Sequence, residues 1–277
     1  MATNATKPPI GPQTRLCISL AARPGAFGSR FHNWLYDRLG LDYVYKAFTT
    51  TDLPAAIGGV RALQIRGCAI SMPFKEAVIP LLDAMDPSAA AIDSVNTIVN
   101  DDGRLTGYNT DYTAICTLLD RAGIGPDTRF ILRGAGGMAK AVAAALFNRG
   151  QTNGVVVARN EAKGRALAAL YGFEWEAAPD ELIAPLLINA TPLGMAGADE
   201  DHLAFPEAAI EAARTVFDVV ALPVETPLMR AAENAGKQRI SGAEVAVLQA
   251  LEQFALYTGV RPSTELAAQA AAFARGA

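Results

Sequence analysis

Short apolar runs alternate with longer stretches whose apolar positions recur at helical spacing, from Arg15 to the end of the chain. The runs predict strands at Arg15–Ala21, Tyr43–Phe48, Gly67–Met72, Val95–Asn100, Thr128–Arg133, Gly154–Ala158, Leu186–Ala190, Val216–Val220 and Gln238–Ser241. The periodic stretches predict helices at Ser29–Leu39, Asp52–Leu63, Tyr112–Ala122, Met138–Arg149, Glu161–Tyr171, Pro227–Ala235, Ala243–Tyr257 and Thr264–Arg275. Residues 73–85, PFKEAVIPLLDAM, predict a further helix opened by Pro73, whose missing N–H is no loss in a first turn. Strand and helix alternating in this way specify an α/β protein with mostly parallel sheets. The turn Asp101-Asp102-Gly103 is the exception and predicts a hairpin. A helix beginning near residue 112 leads from one α/β unit into a second.

Composition narrows the picture. The chain has 277 residues, of which 51% are hydrophobic and 19% charged, enough for a sizeable core and roughly two domains. Its 24 Lys+Arg against 28 Asp+Glu give a formal charge of −4, which offers no general attraction for nucleic acid. No apolar run approaches the ~20 residues of a membrane span, and MATNATKPPIGPQTR reads as a polar, disordered lead-in without a signal core. A cytoplasmic protein is the expectation. Cys17, Cys68 and Cys116 are scattered among apolar residues, and His32 and His202 are the only histidines, so neither a disulfide framework nor a metal site is expected.

The most informative local pattern is ILRGAGGMAKA, a strand followed by Gly134, Gly136 and, in the third small position, Ala139. Such a loop opens the sites where a dinucleotide pyrophosphate lies on a helix N-terminus: Gly134 for the tight turn, Gly136 and Gly137 for close backbone approach, Ala139 for close packing. At the end of the next strand, where an acidic residue would favour NAD, stand Arg159, Lys163 and Arg165. A basic cluster there suits a 2′-phosphate and favours NADP, with Glu161 the one contrary residue. Two charged residues stand in contexts that suggest a cleft: Lys75, where a strand's carboxyl end meets a helix start, and Asp111 in YNTDY. A lysine beside a carboxylate suits proton transfer to a ketone during hydride addition, although a surface lysine and a helix-capping aspartate are the ordinary alternatives.

The ordered motifs SMPFK, SVNT, YNTD, GAGGMAKA, INATPLGM, DVVALPVETPL and VLQALEQF together resemble the shikimate dehydrogenase family, most closely its shikimate dehydrogenase-like subgroup. The resemblance implies two α/β domains: a substrate domain over residues 1–112, a Rossmann-type NADP domain over 113–241, and C-terminal helices, 242–277, returning to the first. It also implies NADP-dependent reduction of 3-dehydroshikimate to shikimate, with Lys75 and Asp111 as the catalytic pair and Ser71, Asn96 and Gln249 on the ring hydroxyls. Gly134, Gly136, Gly137, Met138, Ala139, Arg159, Lys163, Thr191 and Gly242 would border the cofactor, and no metal is implied.

The chain departs from the family pattern where a Ser-x-Ser pair usually holds the substrate carboxylate: Ala26 and Gly28 stand there. Two charge-assisted hydrogen bonds are then missing, each worth about 1.5–3 kcal/mol, unless Ser19, Ser29 or Arg23 takes over. Ala69, Phe74 and Ala221 replace three further polar residues. Quinate, aminoshikimate or another hydroxylated ring acid is the alternative substrate, and a catalytically weak nucleotide sensor the alternative of another class. Sequence leaves the oligomeric state open.

Overall fold

The computed structural model describes residues 7–276, so the first part of the polar lead-in lies outside the described residues. From Lys7 onward the lead-in is tied down rather than loose: Lys7 pairs with Asp37 at 3.3 Å and the Thr14 hydroxyl donates to Asp42 at 2.6 Å. The chain divides into two compact units, one running through Thr110 and resuming at Val247, the other spanning Asp111–Ala246.

The first unit contains strands β1 (Arg15–Leu20), β2 (Tyr43–Phe48), β3 (Gly67–Ile70), β4 (Ala84–Met85), β5 (Thr97–Asp101) and β6 (Arg104–Tyr108). Its helices are α1 (Phe27–Leu39), α2 (Leu53–Ala62), and the one-turn α3 (Phe74–Ala77) and α4 (Pro87–Ala90). The strands form one sheet in the order β2-β1-β3-β5-β6-β4. This sheet is mixed: β1 pairs in parallel with β2 and β3, and β4 with β6, whereas β3/β5 and β5/β6 are antiparallel, the two exceptions in an otherwise parallel protein. The hairpin responsible turns at Asp102 (φ 51°) and Gly103 (φ 92°), the left-handed pair that a two-residue turn requires.

Successive residues of a strand face opposite sides. Cys17 of β1 and Val99 of β5 therefore enter an aromatic core with Phe31, Tyr36, Phe254 and Tyr257, while Ile18, Leu20 and Ile98 enter an aliphatic one with Ile57, Val60 and Leu105.

The helix expected over 73–85 does not run through. It stops after one turn, gives way to a 3-10 turn at Ile79–Leu81 and ends in the short edge strand β4. Pro80 is the reason, since it has no N–H to donate and its ring clashes with the preceding turn.

The second unit opens in α5 (Thr110–Arg121) and carries strands β7 (Phe130–Arg133), β8 (Gly154–Val157), β9 (Glu174–Glu176), β10 (Leu186–Asn189), β11 (Thr215–Asp218) and β12 (Gln238–Ser241). Helices α6 (Gly137–Asn148), α7 (Glu161–Tyr171), α8 (Glu207–Ala212) and α9 (Pro227–Asn234) alternate with them. All pairings are parallel, in the order β12-β11-β10-β7-β8-β9, the doubly wound arrangement whose strand order reverses between β7 and β10. Strands β8, β10 and β11 are buried at every position, as a sheet covered on both faces demands.

Chain continuity returns to the first unit within α10 (Gly242–Thr258), followed by α11 (Thr264–Arg275). Both passages between units thus fall at or inside helices, two residues before the sequence-based break at 112 and five after that at 241. Among the described residues no helix is long and apolar enough to cross a membrane, and no His, Cys, Asp and Glu cluster could hold a metal.

Candidate active site

In the first unit the site is built on one end of the mixed sheet. Ser71 follows β3; its N–H donates to Leu20 at 2.9 Å and its carbonyl accepts from Phe74, which opens α3 directly after it. Lys75, half-buried in that turn, is held by its carbonyl, which accepts from the Val95 N–H at 2.9 Å. The next residue is Asn96, only 3% exposed. Its backbone joins both neighbouring strands, with the Ile70 N–H donating to Asn96 O at 2.8 Å and Asn96 N donating to Tyr108 O at 3.0 Å.

Asn96, expected within a strand at 95–100, lies just before β5, and its side chain closes a buried polar network. Asn96 Oδ1 accepts from Thr97 Oγ1 (2.8 Å) and from the Thr110 backbone (2.8 Å), capping the first turn of α5. The Thr110 hydroxyl lies 3.2 Å from Asn96 Oδ1 and 3.5 Å from Gln249 Oε1. Gln253, one turn beyond Gln249 on α10, donates to Thr97 Oγ1 at 2.9 Å and to Asn96 O at 3.3 Å. Four residues singled out from sequence, Ser71, Lys75, Asn96 and Gln249, thus lie around one strand end. With Oδ1 occupied, the Asn96 Nδ2 amide is the group left to donate to a ligand. Thr97, Thr110 and Gln253 were missed, because only the fold brings them together.

Asp111, immediately after the capped Thr110, opens the second unit. At the rim of the first, Ala26 and Gly28 bring no hydroxyl to the start of α1, which has no side-chain cap. A Cβ on Gly28 would stand 3.5 Å from the Tyr45 hydroxyl, and the Tyr45 ring stacks on His32 with centroids 4.5 Å apart. Burial pushes the His32 pKa down to about 3, so the imidazole is neutral core packing rather than a proton donor. Burial likewise pushes the Cys17 thiol up to about 12 and leaves it unreactive.

The second unit gathers its candidates at the carboxyl ends of its strands. Gly134, after β7, has φ +125°, and a Cβ there would meet Ala190 O at 2.6 Å, so only glycine fits where β7 and β10 part. Gly136 precedes α6 and Gly137 begins it; neither has a neighbour within 4 Å of a built Cβ, and no side chain caps the helix. Met138 is half-buried and Ala139 fully buried, which lets α6 pack closely on the sheet. An uncapped helix N-terminus under open space, with exposed Arg159 and Lys163 after the adjacent strand, fits a dinucleotide with an additional phosphate.

One member of the expected basic cluster is committed elsewhere. Arg165 bonds Glu161 at 2.8 Å and stacks over Trp175 at 4.2 Å, an arrangement that also neutralises Glu161. Arg133, overlooked in the sequence, donates to the Ala204 carbonyl, and burial first, with Arg159 second, holds its pKa below the usual arginine value. Thr191 follows β10 and donates to Asn189 Oδ1 at 2.6 Å. Gly242 lies against the carbonyls of Val219 and Val220, 2.4 Å from a built Cβ, where no side chain fits.

With this geometry in view, the comparisons with known proteins are specific. Residues 27–98 match the family model of the shikimate dehydrogenase substrate binding domain. The chain is 56% identical over 267 residues to a shikimate dehydrogenase-like protein of Haemophilus influenzae, spanning 96% of this chain and 98% of that one. Its fold is similar to that of Thermus thermophilus shikimate 5-dehydrogenase in complex with NADP(H) and shikimate: TM-score 0.82 and 30% identity, over 95% of this chain and 100% of the other. It is also similar to quinate dehydrogenase from Corynebacterium glutamicum in complex with NAD: TM-score 0.85 and 27% identity, over 95% of this chain and 99% of the other. The doubly wound second unit, the polar strand end of the first and these likenesses over nearly the whole length place the chain in the shikimate dehydrogenase family of oxidoreductases.

Proposed function

We propose that the chain catalyses the NADP-dependent, reversible reduction of 3-dehydroshikimate to shikimate. The observation that carries this reading is the grouping of Ser71, Lys75, Asn96 and Gln249 around one strand end of the first unit. Polar side chains on three separate elements suit a small ring bearing several hydroxyls. Ser71 Oγ, Asn96 Nδ2 and the Gln249 amide would hydrogen-bond those hydroxyls and orient the carbonyl carbon.

NADP, when bound, supplies or accepts the hydride. Lys75 would deliver a proton to the carbonyl oxygen as the alcohol forms and take it back in the reverse direction, with Asp111 completing the pair. Gly134, Gly136, Gly137, Met138 and Ala139 would receive the pyrophosphate. Arg159 and Lys163 would hold the 2′-phosphate, and Thr191 and Gly242 would border the nicotinamide side. The open space over the α6 N-terminus and the exposed charge of Arg159 and Lys163 support this cofactor assignment.

A second reading, oxidation of quinate or a related ring acid, is motivated by the departure from the family pattern at Ala26 and Gly28 and by the likeness to quinate dehydrogenase from Corynebacterium glutamicum. Arg23 is the candidate to replace the missing carboxylate contact. It has no partner among the described residues, and the N–H of its neighbour Ala22 donates at 3.1 Å to Met72 O, next to Ser71. Steady-state kinetics with shikimate and quinate, each with NADP+ and NAD+, decides between the readings. The highest kcat/KM is expected for shikimate with NADP+. Preference for quinate establishes the second reading, and NADP+ binding without turnover of either acid indicates a sensor.

A further inference from the structure

Asp218 ends β11 with 0% exposure, and its hydrogen-bond partners are all neutral donors. Asn189 Nδ2 at 3.0 Å and Val220 N at 3.1 Å reach Oδ1, and the Thr226 hydroxyl reaches Oδ2 at 2.6 Å. Burial pushes the carboxyl pKa above the ordinary aspartate value, and these three donors oppose the shift. A buried carboxylate without a cation costs stability, so a strand end built only for packing would be apolar.

The donors lead outward to the cofactor side of the unit. Asn189 Oδ1 accepts from both N (3.1 Å) and Oγ1 (2.6 Å) of Thr191, and its Nδ2 also donates to Leu193 O at 3.1 Å. One amide thus shapes the whole turn after β10. Thr226 accepts from Met229 N at 3.1 Å as the cap of α9, closing the far end of the 219–226 loop. The near end of that loop, at Val219 and Val220, is the surface against which Gly242 rests.

We propose that Asp218 is a positioning residue for the dinucleotide, holding the Thr191 turn through Asn189 and the 219–226 loop through Val220 and Thr226. The inference rests on the NADP reading above. A carboxylate is the side chain this junction needs, because its two oxygens accept from all three donors. An asparagine has a single acceptor oxygen and would turn an NH2 toward one of them.

The test uses the full-length chain and its variant Asp218→Asn, with two readouts: amide hydrogen exchange of peptides covering 190–194 and 219–226, and the NADP+ dissociation constant by calorimetry. Both loops are expected to exchange at least tenfold faster in the variant, with α7 peptides at wild-type rates, and the NADP+ dissociation constant to rise about tenfold. Wild-type loop protection overturns the proposal. So does faster exchange with unchanged NADP+ affinity, which would make the role purely structural. Absence of NADP+ binding to the wild-type protein instead defeats the cofactor reading, and the exchange rates alone then decide whether Asp218 holds the loops. Should Asp218→Asn not fold, Asn189→Ser cuts the link to Thr191 while leaving the carboxylate in place, and is judged by the same two readouts.

Discussion

The two sheets present chemistry by different means. The mixed sheet of the first unit offers side chains: Asn96, Thr97, Thr110, Gln249 and Gln253 form a polar network at one strand end. The parallel sheet of the second offers backbone: an uncapped helix start and a glycine that fits because it has no Cβ. A side-chain site is altered by exchanging its polar groups, whereas a backbone site depends on positions such as Gly134 and Gly242 staying free of a Cβ. Apart from Asp111, which opens the second unit, substitutions that change catalysis and substrate choice are expected in the first unit, and those that change cofactor affinity in the second.

The largest effect that would test this division is at Lys75. Lys75→Met is expected to lower kcat by about 10²–10⁴-fold with NADP+ affinity unchanged; a comparable loss of NADP+ binding in calorimetry would break the division. Acid stability separates the units in another way. His32 is wholly buried among aromatic rings, and burial lowers its pKa from 6.5 to about 3 on folding. Between those values the unfolded chain binds the extra proton. Stability is therefore full above pH 6.5 and falls as the pH drops, by about 5 kcal/mol near pH 3. His32→Phe should flatten this acid limb in urea midpoints measured against pH, and an unchanged limb would remove His32 as its cause.

Gly134→Ala comes next. A methyl group 2.6 Å from Ala190 O at φ +125° should weaken NADP+ binding by about 100-fold, combining backbone strain with displacement of the loop. Titration by nucleotide fluorescence would register it. The smallest effects concern the basic side chains. Arg159→Gln should reduce the NADP+ over NAD+ preference by roughly 10–100-fold, the loss of one or two charge-assisted contacts. Arg165→Gln should change it less than about twofold, since Arg165 already serves Glu161 and Trp175. Equal effects from the two arginines, read as kcat/KM ratios, would mean that the Glu161 pair opens when nucleotide binds.

Legibility from sequence followed the same division. The central strands of the second unit are mostly apolar and its loop is glycine-rich, so the strand–helix alternation and the candidate cofactor loop were readable. Short edge strands were not. Glu174-Trp175-Glu176 and Ala84-Met85 are too brief to carry a period, and α8 was passed over as well. In PFKEAVIPLLDAM the apolar spacing suggested a helix that Pro80 forbids. The site residues of the first unit were reached mainly through resemblance, because ordinary Ser, Asn and Gln residues acquire meaning when distant elements meet. Asn189 and Asp218, 29 positions apart, are the same case in the second.

The return of the chain into the first unit at Val247 also sets an order of events during synthesis. The aromatic core that receives Phe31 and Tyr36 lacks Ala250, Phe254, Tyr257 and Ala270 until the ribosome has made the whole of the second unit. The intervening 136 residues, Asp111–Ala246, are contiguous and can collapse as soon as they emerge. At about 5–20 residues per second they impose a wait of roughly 7–27 seconds. For that interval the aromatic face of the mixed sheet is covered by α1 alone, so the nascent first unit, rather than the nucleotide unit, is where a chaperone would be needed.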